Sequence, residues 1–324
     1  MQSFEMVGDQ AINESFYENA AYNVVNPEPE SYYDWAKKSI SSLLPSGQNT
    51  TLKSLQGIRA QLPRGVSYSG GGTEELSQLL QDAAEMHFIT CSAKFKPMLT
   101  DLGKHNGVKV QCCSSDLDWG SPVRCAQMMF ANCARPQDLR WFDNDQRKKN
   151  SPLGIHNFAY EALTVHNMFS GTTYNLTKTF KCLRELNQTY QAKPDLSVVI
   201  FEHGEVNLDT IVSEGLKESA KSVDSFPDSE SQVQVTASES SIKIWPREVL
   251  VIVTHSIQEK EKWDADDKNQ LKSFMRLKSF VGLVASENNQ TYFNCGFIES
   301  LNSADKQRNQ LIYLDPREVM TGEQ

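Results

Sequence analysis

Three stretches in the first third of the chain repeat apolar residues at helical spacing. The first begins near Tyr33, carries Trp35, Ile40, Leu43 and Leu44 on one side, and stops at Pro45. The second runs from about Thr51 to Leu62, with Leu52, Leu55 and Ile58 in phase, and ends at Pro63. The third, TEELSQLLQDAAEMH over Thr73 to His87, opens on a threonine cap and an acidic first turn and carries Leu76, Leu79, Leu80 and Ala83 as an inward stripe. Further on the period changes. SVVIF (Ser197 to Phe201) and VLVIV (Val249 to Val253) are continuous β-branched runs of strand length, suited to a sheet buried on both faces. FVGLVA (Phe280 to Ala285), QTYFNCGF (Gln290 to Phe297) and QLIYLD (Gln310 to Asp315) follow, with SENN as turn material between the first two. A β-rich second half stands behind a helical first half.

Two segments fit neither pattern. Residues 1–36 hold seven acids and no lysine or arginine, with no sustained period, and read as a mobile acidic arm. Residues 218–241 hold eight serines and five acids against Lys221, and read as a disordered insertion loop between two strands of one domain.

Charge acquires its meaning from these segments. The 324 residues include 41 acidic and 32 basic side chains, a formal charge of −9. The arm carries −7 and the insertion −4, so the rest of the chain is near neutral at +2. No broad positive field is available to displace counterions from a phosphate backbone, and nucleic acid is not the expected partner. No run of about 18 apolar residues suggests a membrane span, and the start lacks the basic and apolar regions of a secretory signal. The seven cysteines, at 91, 112, 113, 125, 133, 182 and 295, lack the paired spacing of a zinc site and read as reduced, mostly buried thiols. No metal and no cofactor is expected. Gly70, Gly71 and Gly72 precede no Gly-Lys-Ser/Thr and follow no strand, so they read as a joint rather than a phosphate loop.

From Ser114 to Trp141 the chain reads SSDLDWGSPVRCAQMMFANCARPQDLRW. A loop here ends at Ser121, the expected N-cap, and a helix follows with Pro122 in its first turn, where a missing N–H costs nothing. Met128, Met129 and Ala131 face a core. A nucleophile placed at Ser121 would sit at the positive end of a helix, the setting that stabilises a thiolate in cysteine peptidases.

This string resembles the signature of the autophagin family, the papain-like cysteine peptidases of autophagy: Asp-x-Gly-Trp-Gly-Cys, two residues, Arg, two residues and Gln-Met. Asp116, Trp119, Gly120, Arg124, Gln127 and Met128 fall in register, and DLRW at Asp138 to Trp141 is similar to a later Trp-Arg-Trp-like stretch. HFITCSAKFKPM, GIHNFA, SVVIFEHGEVNLDTI, WPREVLVIV, SFVGLVASENNQTYFNCGF and QLIYLDP resemble further family segments in the same order, from about Tyr68 to Pro316.

The resemblance implies an α+β, papain-like fold over residues 37–324, in which a helical lobe bearing the nucleophile packs on a mostly antiparallel β lobe. It implies cleavage after the C-terminal glycine of a ubiquitin-like autophagy modifier, and release of that modifier from phosphatidylethanolamine. Membrane contact would then be indirect, through the lipidated modifier, in a cytoplasmic protein. Trp119 is implied beside the substrate. The family also docks partners through aromatic-x-x-aliphatic motifs, a form that Phe4 to Val7 and Tyr22 to Val25 share within the acidic arm.

At the catalytic positions the chain departs from the family. The nucleophile position is Ser121, the triad His position is Arg317, and the oxyanion Tyr position is Cys91; the triad Asp position keeps Asp315. A serine hydroxyl needs a strong base beside it, and an arginine stays protonated. The expectation is therefore an impaired peptidase that binds the modifier, with Arg317 paired to Asp315. The alternatives are an active hydrolase with a reassigned site and a non-catalytic adaptor. Cys125, one turn beyond Ser121, reads as a packed thiol, and the six histidines as structural or exposed. The chain stops nine residues past Asp315 where the family continues with further strands, so an early end is expected as well.

Overall fold

The computed structural model describes residues 58–63, 67–69, 78–79, 81–82, 85–92, 94–95, 98, 113–136, 139–144, 151–217, 245–255, 265–287, 290–300 and 310–317. The acidic arm with Phe4, Val7 and the Tyr22 motif, the helix expected from Tyr33, Gly70 to Gly72, Cys112, His105 and the 218–241 insertion lie outside these residues.

The core is built around one long strand. β6 (Gln290–Ser300) pairs antiparallel with β5 (Leu283–Glu287) along residues 290–294, with β1 (Ile58–Gln61) along 297–300, and with β7 (Gln310–Leu314) along 293–298. β2 (Ser67–Ser69) extends the sheet beyond β1. Ile312 and Leu314 of β7 are buried and alternate with the exposed Leu311 and Tyr313, while the centre of β6 is buried throughout, Asn294 and Gly296 as well as Phe293, Cys295 and Phe297. The cover includes α1 (Ser121–Ala134), which packs on β6 and also on α3 (Leu176–Tyr190), itself paired with α2 (Ile155–Thr164). A separate parallel pair, β3 (Leu196–Phe201) and β4 (Glu248–Val253), lies against α3 and α4 (Leu208–Leu216); α5 (Ala265–Met275) precedes β5. The result is α+β with a mostly antiparallel sheet.

Five local expectations are corrected. Residues 58–61, expected to end a helix from Thr51, form β1. Their backbone groups pair with Phe297 to Ser300, a non-local ladder that overrides a short helical period. The strand expected at Phe280 begins at Leu283, where pairing with Asn294 of β6 begins; Gly282 before it passes so close to Phe293 that a Cβ would lie 2.4 Å from its ring. That strand also runs further, through Glu287, which pairs with Gln290 and takes half of the SENN turn into the ladder. β4 is only partly buried, with Leu250 and Ile252 inward and Glu248 and Val253 exposed, whereas β3 has no exposed residue and buries the adjacent Val198 and Val199. Of the helix expected over Thr73 to His87, residues 78, 79, 81 and 82 are helical and Leu79 is buried, but Glu85 to His87 are turn and loop, so the helix ends earlier than expected.

Candidate functional site

The loop entering α1 is held by Asp116. Its carboxylate is fully buried, accepting from the Ser92 amide at 2.6 Å through Oδ1 and from Arg124 Nε at 2.6 Å through Oδ2. Its carbonyl accepts from the amides of Trp119 and Gly120 at 3.3 and 2.7 Å. Arg124 spends its other nitrogens on Gln127 Oε1 at 3.0 Å and Asn144 Oδ1 at 2.7 Å, and Gln127 passes the network on to the Leu153 carbonyl at 2.6 Å. A buried ion pair is tolerable only when the remaining donors and acceptors are satisfied in this way. Gly120 is required sterically, because a Cβ there would lie 2.5 Å from the Asp116 Cβ and Oδ2.

This clamp moves the helix boundary. Ser121 is the first helical residue rather than the N-cap; Gly120 takes the cap position and offers no side-chain hydrogen bond. The tight Asp116 to Gly120 turn closes the loop one residue earlier than expected. Ser121 is 3% exposed, and its hydroxyl has no partner among the described residues. Trp119, implied beside a substrate, is 2% exposed; its indole N–H donates to the Ser115 carbonyl at 2.8 Å and its ring lies 5.1 Å from that of Tyr174. In this state its ring meets protein, not solvent.

Arg317 and Asp315 form a bidentate pair. Nε donates to Oδ1 at 3.0 Å and Nη2 to Oδ2 at 2.6 Å, while the Arg317 amide also donates to Oδ1 at 3.0 Å. Nη2 reaches further to Gln290 Oε1 at 3.2 Å and Tyr292 Oη at 3.4 Å, and the guanidinium stands over the Tyr292 ring at 5.7 Å. Tyr292 also donates to Gln290. The hydrogen bond to Asp315, followed by its charge, pushes the arginine above its already high ordinary pKa, so the side chain is a permanent cation. The clamp residues Gln290 and Tyr292 were not singled out in the sequence; their spacing of two on a strand, which sets them on one face beside the 315–317 turn, is the signal that could have found them.

One dipeptide ties the two halves together. Ser92 exchanges backbone and side-chain bonds with Asp116, at the entry to α1, while the amide of the preceding Cys91 donates to the Pro316 carbonyl at 2.6 Å. The α1 entry loop and the Asp315 to Arg317 turn therefore flank neighbouring residues whose Cα atoms are about 3.8 Å apart. Cys91 is 2% exposed, and burial, then the nearby Asp116, push its thiol well above the ordinary range. Cys125 is fully buried, its thiol pushed up by burial and then by Cys91 and Asp315. Both are packed groups held protonated. Among the described residues no histidine is hydrogen-bonded to Ser121. His156 packs edge-on against Phe95, His166 bonds Glu185 at 3.0 Å, and His203 and His255 are exposed.

A family description, the peptidase C54 catalytic domain, matches residues 76–323. A comparison with curated proteins finds no match.

Proposed function

This chain belongs to the peptidase C54 family, the autophagy-related cysteine peptidases of papain-like fold, and on that premise we propose that it binds a ubiquitin-like autophagy modifier without cutting it. The observation that carries the proposal is the pairing of Arg317 with Asp315, in which the guanidinium consumes both carboxylate oxygens; we read Arg317 as standing at the triad His position. Acyl transfer by this family's route needs a group that accepts the nucleophile's proton and returns it to the leaving amine. A permanent cation can do neither. The donor side is weakened as well, because the Cys91 amide is spent on Pro316 and its side chain is a buried thiol in place of a phenol. Neither Cys91 nor Cys125 supplies a thiolate from its buried, protonated state.

The binding surface is proposed on the retained scaffold of residues 37–324, with the 1–36 arm contributing Phe4 and Val7 as a strand-adding contact. Site roles are proposed as nucleophile position for Ser121, triad Asp position for Asp315, triad His position for Arg317 and oxyanion position for Cys91. A cytoplasmic location, with membrane met only through the lipidated modifier, is part of the proposal. Separately, no helix among the described residues is long and apolar enough to cross a bilayer. Calorimetric titration with a C-terminally extended modifier tests the proposal. A saturable complex from which the extended modifier is recovered intact is expected. Failure to bind any form of the modifier would leave the adaptor reading in its place.

A further inference from the structure

We infer that the outer edge of β7 is an interface between two copies of this chain, in which β7 of each copy pairs antiparallel with β7 of the other and the two sheets become one. The inference is independent of modifier binding.

The edge is open. β6 pairs with both β5 and β7 at Phe293 and Asn294, so those two strands lie on opposite sides of it and β7 ends the sheet. Among the described residues no strand pairs with the far side of β7, and the Cys91 amide closes the chain only beyond it, at the Pro316 carbonyl. A bare edge is a template for another strand, which folded proteins commonly blunt with lysine or proline. QLIYL over Gln310 to Leu314 holds no charge and no proline, and it exposes Leu311 and Tyr313 on one face, at 38% and 48%. The Tyr313 ring is also fixed, lying edge-on to that of Tyr292 at 5.1 Å, while Tyr292 lies under Arg317.

The occupant that fits this edge is the strand itself. In an antiparallel pair about a two-fold axis through Ile312, that residue meets its own copy and Leu311 of each chain lies opposite Tyr313 of the other. Opposed residues share a face of the sheet. The exposed Leu311 and Tyr313 therefore form two aliphatic–aromatic cross-strand pairs, while Ile312 and Leu314 stay on the core side. That is the self-complementarity an isologous interface requires.

Charge agrees. A foreign strand is selected largely by complementary charge, and β7 carries none to select it. Asp315, just past its end, is already neutralised by Arg317. The cations over the neighbouring strand, Lys272 and Arg276, stand above Phe297 of β6. The β6 strands of the two copies would be three strand spacings apart, about 14 Å, which exceeds a Debye length at physiological salt. Two copies thus meet along the edge without opposed like charges.

Sedimentation equilibrium of the purified full chain tests the inference. The natural chain is expected to pass from one chain's mass to two as its concentration rises. The double variant Leu311→Glu, Tyr313→Glu sets glutamate opposite glutamate at positions that are exposed in the single chain, and it should weaken dimerisation about tenfold or more, with folding checked by thermal melting. Mixed with Leu311→Lys, Tyr313→Lys, it should form a mixed dimer, because opposite charges then face each other. In the natural chain, amide exchange over 310–314 should slow as the dimer forms. A natural chain that stays a monomer up to its solubility limit overturns the inference and leaves the edge to a different strand or to solvent. A dimer that persists in the glutamate variant, or exchange over 310–314 that ignores concentration, overturns the assignment to β7. Loss of the dimer without recovery in the mixture overturns the antiparallel register. The mass and exchange of the natural chain need no variant, so poorly folding variants do not shelter the inference.

Discussion

Replacing Arg124 by leucine should cost the protein about 4 kcal/mol of stability, although Arg124 touches none of the positions where chemistry would occur. The substitution strips Asp116 of the one cation that pairs with it among the described residues and leaves the fully buried carboxylate with the Ser92 amide as its described partner. Breaking a buried pair from one side costs roughly 3–5 kcal/mol, because the abandoned charge stays desolvated. Gln127 Oε1 and Asn144 Oδ1 lose donors at 3.0 and 2.7 Å, adding about 1 kcal/mol between them after relaxation. Equilibrium denaturation followed by tryptophan fluorescence reports the loss, with Trp119 buried three residues from Asp116. The double variant Asp116→Asn, Arg124→Leu removes the stranded charge and should recover about 1–3 kcal/mol relative to the sum of the single changes. A loss below about 1 kcal/mol for Arg124→Leu, the size expected of an exposed pair, would refute the account of this network.

Other consequences follow from the same geometry. Gly120→Ala forces a Cβ to within 2.5 Å of Asp116 and should destabilise the fold by about 1–3 kcal/mol in the same assay, with Ser121 displaced. Cys91 and Cys125 should resist iodoacetamide at pH 7.5 in the folded protein and react once it is unfolded, as mass spectrometry of tryptic peptides will report. Burial pushes the thiols of Cys182 and Cys295 up to about 12. The unfolded chain loses those protons first, so stability present below about pH 8.5 should fall by roughly 1.4 kcal/mol per pH unit per thiol as pH rises towards the folded values. Denaturation midpoints at pH 8 and 10 check the sign, and replacing both cysteines by alanine should lessen the slope without abolishing it, because the buried thiols of Cys91 and Cys125 are raised in the same direction.

What the sequence made legible divides along physical lines. Strands β3 and β7 and helix α1 were readable because local patterns, a β-branched run or a proline in a first turn, coincide with their final surroundings. The Asp315 to Arg317 pair was readable because two opposite charges two residues apart around a proline need no distant partner. β1 was not, because Ile58 to Gln61 become a strand only through β6, more than two hundred residues later in the chain. Asn144 likewise has no local signature; it matters only as the acceptor that completes Arg124. Ser121 was placed one position early because the cap depends on the Asp116 carbonyl and the missing Cβ of Gly120, neither of which a capping preference contains. The residues of the signature that remain, Asp116, Trp119, Gly120, Arg124, Gln127 and Met128, are those that build the helix entry and its core.

The central claim is that this chain keeps the scaffold of a peptidase site and lacks its proton-transfer chemistry. Its most direct test is intact-mass measurement of a C-terminally extended modifier during prolonged incubation with the purified protein, alongside the variant Cys91→Tyr, Ser121→Cys, Arg317→His. The account predicts no product from the natural chain and a glycine-ended product from the variant, in which thiol, base and Asp315 are reunited. Cleavage by the natural chain that disappears in Ser121→Ala would contradict it.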